Sequence, residues 1–357
     1  MTASQVIPSV AVALIVSIAF MFTLRPLAQH IGLVDQPGGR KLHEGDIPVV
    51  GGVAIFFGIF AGLAVLGLDS SVLVSIFVAS SLLVIIGVID DGIALPAAAR
   101  VTTQVAVVLI MIYGADLKLA DMGDPFGTGV IATGNFMLIF TLLVTVTLTN
   151  AYNLIDGING LAGSLAVVAL ASVAAAVGIH HPFGAVAVVI AAAIVGFLVF
   201  NFPFSWNRSV QSFMGDAGST LLGFTIVWVT LGVAQGAERV ISPVHCLWFA
   251  AIPIFDCLTC FVGRVLKKKS PITPGRDHFH HALQRGGYSV RQILTILIGL
   301  QVFYAIVGLS GYFASVPDYV MFAAWSVLGL SQRRIIRRVA KSHRLYRWTR
   351  IRAISGR

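Results

Sequence analysis

Apolar stretches of about 20 residues recur along this chain from end to end, each long enough to cross the hydrocarbon of a bilayer as a helix. Of the 357 residues, 57% are hydrophobic and only 11% charged, whereas soluble domains carry roughly 25% charged residues. That leaves no material for a water-soluble domain of any size. The expected fold class is an all-α polytopic integral membrane protein. Eleven transmembrane helices are read, centred near Ile15, Phe57, Val78, Val107, Leu142, Val168, Ala192, Phe224, Ala251, Ile298 and Ala323. The first lacks a small-residue cleavage site and runs into RPLAQH, so it reads as a retained helix rather than a signal peptide.

Orientation follows from Lys and Arg, which stay on the cytoplasmic side of short loops. With the N-terminus periplasmic and the C-terminus cytoplasmic, only Lys118 and Arg239 of the 24 basic residues fall outside. The reverse arrangement exports nearly all of them. The net charge of +9 is concentrated in Lys267, Lys268 and Lys269 and in a tail from Arg333 to Arg357. Such a tail just inside a last span reads as an anchor on anionic membrane lipids, with no nucleic acid as partner. Residues 1–332 read as one transmembrane domain and 333–357 as a basic cytoplasmic tail. The three cysteines, Cys246, Cys257 and Cys260, read as small packing residues, since no second pair completes a zinc site.

Five polar clusters interrupt the apolar background, and all five fall on the cytoplasmic side. Ionisable groups near hydrocarbon are costly, so their gathering at segment ends argues for a site. DQPGGRKLHEGDIPVVGG carries Asp35, Arg40 and Lys41, two adjacent cations that suit a lipid phosphate or simply fix topology. Asp90 and Asp91 close the third span, where they are either a polar helix end or a charged site facing Arg100 across a short loop. In NAYNLIDGINGLAG, Asn150, Asn153 and Asp156 recur every three residues along one helix side. Gly157 and Gly160 then break that helix, with Asn159 between them, and a broken helix offers oxygens and freed backbone groups to an ion or phosphate.

FMGDAGSTLLGF puts Asp216 between two glycines at the start of a span. It reads as an N-cap, as a magnesium ligand beside a phosphate-binding helix terminus, or as both. PGRDHFHHAL carries Arg276, His278, His280 and His281. These histidines lack the i, i+4 spacing and companion Glu of a helical zinc pair, so they read as phosphate or sugar contacts.

Taken in order, the clusters resemble those of the polyprenyl-phosphate N-acetylhexosamine-1-phosphate transferases, from about Leu24 to about Tyr288. The likeness is strongest to the bacterial branch that loads GlcNAc-1-phosphate onto undecaprenyl phosphate. It rests on VDQPGGRKLHEGDIPVVGG, FMGDAGSTLLGF, ISPVHCLWFAAIPIFD, and RDHFHH followed by ALQRGGYSVRQ. The resemblance implies a membrane enzyme joining a UDP-N-acetylhexosamine to undecaprenyl phosphate with Mg²⁺, for which Mn²⁺ substitutes. The product begins a cell-envelope polysaccharide such as O-antigen, and a homodimer is left open.

Carried over by motif, Asp90, Asp91, Asp156 and Arg100 are the expected catalytic residues, and Asp216 and Asn153 the metal ligands. Asp35, Arg40, Lys41, Asn150, Asn159, Arg276, His278, His280 and His281 are the expected substrate contacts. Many bacterial members read DGIDG where this chain reads DGING, so Asn159 is expected as a neutral uridine contact rather than a base or ligand.

Two other readings compete. A phospho-MurNAc-pentapeptide transferase shares the chemistry, but RDHFHH and the basic tail fit the GlcNAc branch better. A lipid-linked-sugar transporter places its polar site near the midplane between repeats, whereas these clusters lie at helix ends and no internal repeat is seen.

Overall fold

The computed structural model describes residues 1–36, 45–204, 211–236, 239–268, 270, 275 and 277–355, with the side chains described as far as 345. Arg40, Lys41 and Arg276 lie outside the described residues. The elements run α1 (Ala3–Ile31), β1 (Val34–Asp35), β2 (Ile47–Pro48), α2 (Gly51–Leu66), α3 (Ser70–Ile93), α4 (Ala97–Ala115) and α5 (Met137–Ile155). There follow α6 (Leu161–Val177), α7 (Pro182–Asn201), α8 (Gly215–Ala234), α9 (Pro243–Cys246), α10 (Ala251–Val265), α11 (Phe279–Gly286), α12 (Val290–Phe313) and α13 (Asp318–Ser355).

Among the described residues eight helical segments are long and apolar enough to cross a membrane, and α2 and α6 are shorter apolar helices. Each of the eleven expected centres falls in a helix, the last in the first turns of α13. That helix continues without a break past residue 333, so the basic tail extends the last apolar segment.

The centre of the bundle is α8, most of whose side chains are buried. Lipid tails are as apolar as Leu, so helices associate through close packing rather than a hydrophobic difference, and small residues let them approach. A Cβ at Gly87 of α3 would collide with the backbone of Ala217, and one at Gly52 of α2 with the backbone of Gly218. The first turn of α8 is thereby clasped between α2 and α3.

A second device is a broken span. Pro253 in α10 has no N–H for the carbonyl of Phe249 four residues back. A 3₁₀ turn, Leu247–Ala250, precedes it. Gln301 of α12, fully buried, donates to the Phe249 carbonyl at 2.8 Å and accepts from Ile252 N at 2.9 Å. The break is satisfied inside protein, as a membrane interior requires.

Short backbone pairings bring separate clusters together at one end of the bundle. Gly51 N and Gly52 N donate to the carbonyls of Phe213 and Met214, each at 3.0 Å, and Phe213 N returns a bond to Pro48 O at 2.9 Å. Asn201, at the end of α7, accepts from Gly160 N at 2.6 Å and donates to Ser212 O at 2.8 Å. In the sequence that residue is only a single Asn at the end of an apolar run.

Candidate active site

The start of α8 organises the site. Its N-cap position is Met214, and Asp216 sits in the first turn without capping it. The acceptor is Asp91 of α3, whose carboxylate takes Asp216 N at 2.8 Å and Ala217 N at 3.4 Å. This corrects two expectations. Asp216 is not the cap, and the positive end of α8 is already matched by a carboxylate rather than open to a phosphate.

Adjacent helix residues project about 100° apart, so the aspartate pair divides its work. Asp90 is buried and turns to Arg100 of α4, at 3.3 Å, while its other oxygen accepts from Leu95 N. The cation expected opposite the pair is present, and it serves Asp90.

Asn153, near the end of α5, donates its amide to Asp216 Oδ1 at 2.7 Å and to Ser219 Oγ at 3.0 Å. The helix ends at Ile155, and Gly157 to Gly160 form the expected break before α6. Asp156 follows the last turn of α5, and no hydrogen bond to its carboxylate is present among the described residues. Loss of solvation, then the nearby negative charges of Asp216 and Asp91, push its pKa from 3.8 up to about 7.

A cavity of about 850 Å³ opens over these groups. Asp35, Asp91, Asp156 and Asp216 line it, with Asn153, Asn159 and His281. A smaller pocket behind is lined by Asp90, Arg100 and Asn150 and shares Asn153 and Asp216 with the first. Asn150 donates to Gln104 at 3.2 Å there, and so faces away from the main cavity.

The histidines separate by role. His281 lines the cavity. His280 is 1% exposed, packs against Gly157, and has no hydrogen bond at either ring nitrogen among the described residues. Burial and the neighbouring His281, His278 and Arg285 hold its pKa well below the usual imidazole range, so it is neutral. The structure does not bring His278 to the cavity. It is buried, with Nδ1 2.9 Å from Asp256 Oδ2 and 3.6 Å from Cys260 Sγ.

Asp256, Cys260 and His278 lie close enough for a common ion. However, Asp256 Oδ1 already accepts from Phe279 N at 2.8 Å while Oδ2 faces His278. The arrangement is a clamp: a buried carboxylate of α10 caps the start of α11, which carries His280, His281 and Arg285. Asp256 ends one of the quoted sequence segments and Arg285 sits in another, yet neither was singled out there. Arg285 lines the cavity too.

The donor set on the cavity wall is carboxylate and amide oxygen, which fits a hard divalent cation better than a soft one. Asp216 keeps one carboxylate oxygen free of Asn153, and Asp91, Asp156 and Asp216 stand together with Arg100 turned to Asp90. Three convergent acids with no paired cation among the described residues match the charge of such an ion.

Comparison with known proteins bears on this geometry. The sequence model for glycosyl transferase family 4 matches residues 73–234. An undecaprenyl-phosphate alpha-N-acetylglucosaminyl 1-phosphate transferase of Escherichia coli (strain K12) is 35% identical over 305 residues, 85% of this chain and 83% of that protein. The chain belongs to glycosyl transferase family 4, with these transferases. Proteins of the same description from Yersinia pestis, 34% identical over 314 residues, and Haemophilus influenzae, 32% over 345, extend the match. The latter covers 92% of this chain and 93% of its own length. The family 4 match spans α3 to α8, which supply Asp90, Asp91, Asn153, Asp156 and Asp216. The histidine-bearing α11 lies beyond it and within the longer alignments' reach.

Proposed function

We propose that this chain transfers GlcNAc-1-phosphate from UDP-GlcNAc to undecaprenyl phosphate, releasing UMP. The observation that carries the reading is the meeting of Asp91, Asn153, Asp156 and Asp216 around one cavity at the end of apolar helices, in a chain so similar to transferases of that description. A phosphate oxygen of the lipid attacks the β-phosphorus of the UDP-sugar, one P–O bond forms, and the bond to the α-phosphate bridge breaks. UMP leaves, and no covalent enzyme intermediate is needed.

Phosphoryl transfer asks the protein chiefly for positioning and charge neutralisation. Asp216 and Asn153, with Asp91 or Asp156 beside them, would hold Mg²⁺ or Mn²⁺. When bound, that ion neutralises charge on the diphosphate. Asp91 fixes the start of α8 so that Asp216 keeps its aim. The lipid phosphate has a second pKa near 6, so little proton removal is required. Asp156 is the acid assigned to accept that proton, since it lines the cavity and no hydrogen bond holds its carboxylate among the described residues, while burial raises its pKa to about 7. Asp90 and Asp91, expected among the catalytic residues, are held by Arg100 and by the α8 backbone. Asn159, His281 and Arg285 line the same cavity and would take the uridine and sugar diphosphate.

The same reading makes the protein a multi-pass protein of the bacterial inner membrane with eleven spans and a cytoplasmic site. The distribution of basic residues supports that orientation. Purified protein given UDP-GlcNAc, undecaprenyl phosphate and Mg²⁺ should release UMP and form lipid-diphosphate-GlcNAc. UMP release only with UDP-MurNAc-pentapeptide would move the chain to the peptidoglycan branch, and release with neither donor would sink the proposal.

A further inference from the structure

A second concave site lies beside the first, on the same face of the bundle. It is a groove of about 310 Å³ between α11 and α13, walled by Arg285, Arg337, Lys341 and Arg344. Arg337, Lys341 and Arg344 stand at i, i+4 and i+7, which puts them on one side of α13. Their side chains are exposed, and none forms an ion pair or hydrogen bond among the described residues. Like charges stacked this way repel, so the arrangement suits an anionic ligand.

The groove is built, not a loose tail. Gly286 lets α11 and α13 touch, because a Cβ there would stand 2.9 Å from Ala340 Cα. The ring of His343 stacks on Tyr288 with centroids 3.9 Å apart, and its Nδ1 lies 3.0 Å from Gly286 O. Two aromatic rings and a hydrogen bond thus fix this part of α13 against α11.

Depth selects the ligand. The apolar run that opens α13, from Tyr319 to Leu330, is followed by basic residues from Arg333 on, and charges that follow an apolar run settle at the level of the lipid headgroups rather than in hydrocarbon. Arg337, Lys341 and Arg344 belong to that basic stretch. Leu330, 80% exposed and seven residues before Arg337, continues the same side of α13 as apolar surface.

We propose that this groove binds the phosphate headgroup of an anionic phospholipid of the membrane, seated next to the candidate active site through the shared Arg285. The site is distinct from a diffuse basic anchor, since it uses three cations fixed on a docked helix and not the cations beyond Leu345. Binding of this lipid needs no turnover, so it stands or falls separately from the transferase reading.

The test uses the full-length protein, delipidated in a neutral detergent and titrated with phosphatidylglycerol or phosphatidylcholine, with retained lipid read by mass spectrometry. Each basic residue contributes about a factor of five at a surface, so the Arg337→Gln/Lys341→Gln/Arg344→Gln variant should lose roughly 100-fold in phosphatidylglycerol affinity. Its thermal stability in detergent should stay that of the wild type. A charge-keeping Arg337→Lys/Arg344→Lys variant should retain the lipid, and so should Arg347→Gln/Arg350→Gln/Arg352→Gln. Equal loss in the groove and tail variants would reduce the site to a diffuse anchor and overturn the proposal. So would equal binding of the two phospholipids. Displacement by millimolar inorganic phosphate would replace the lipid with a soluble anion, and displacement by equimolar undecaprenyl phosphate would make the groove a substrate site.

Discussion

Asp216 shows how a single residue changes meaning once its neighbours are placed. Because Asp91 caps α8, Asp216 is released from that duty, and Asn at 216 keeps an acceptor for the bond from Asn153. Asp216→Asn should therefore express and melt like the wild type while turnover falls on the order of 10²–10³, the cost of one preorganised electrostatic contact. UMP release rates and a thermal scan of the same sample decide it. Near-normal turnover would move the proposed ion to Asp91 and Asp156.

Asp156 gives a pH signature of opposite sign to most carboxylates. Its folded pKa, about 7, lies above the unfolded 3.8, so the fold prefers the protonated form. The metal-free protein keeps that contribution below about pH 4 and loses it as pH rises through 7. Melting temperature in a chelator should fall between pH 5 and 8, and added Mg²⁺ should restore it by favouring the carboxylate. Asp156→Asn should make that fall shallower. A wild-type profile that already rises over this window would contradict the burial argument.

Among elements, α11 is the informative one. Eight residues make a marginal helix in water, and its N-cap residue, His278, gives no side-chain cap bond. Asp256, reaching over from α10, supplies the acceptor for Phe279 N and holds His278. Losing such a cap costs about 0.5–2 kcal/mol, small against the whole bundle but large for one short helix. Asp256→Ala should lower turnover at least tenfold with a small drop in melting temperature. Asp256→Asn, which keeps an oxygen for the cap, should recover most of it. Equal turnover in the two variants would leave Asp256 a packing residue.

At the scale of the whole molecule, topology decides whether the cavity meets its substrate. With 22 of 24 basic residues assigned inside, a phosphatase active only outside the membrane should be silent when fused after Arg357 and active when inserted near Asp121. The reverse result would turn every cluster away from cytoplasmic UDP-sugars. Loop 116–133 is tied to the connection between α8 and α9 by Asp121, which pairs with Arg239 at 2.7 Å.

The sequence by itself determined the membrane class, the helix centres and the five polar clusters, since these depend on local composition and on the 20-residue scale set by hydrocarbon thickness. The breaks at Gly157 and Gly160 and the facing of Arg100 to the aspartate pair were legible for the same local reason. Partners across helices were not. Which of Asp91 and Asp216 caps α8 depends on α3 approaching α8 at Gly87, a contact 130 residues apart in the chain. That His278 turns to Asp256 while His281 faces the cavity depends on where α10 docks, because spacing on one helix cannot say what lies opposite it. Only the packed bundle, where small residues let backbones meet, decided which polar groups face the cavity and which hold the walls in place.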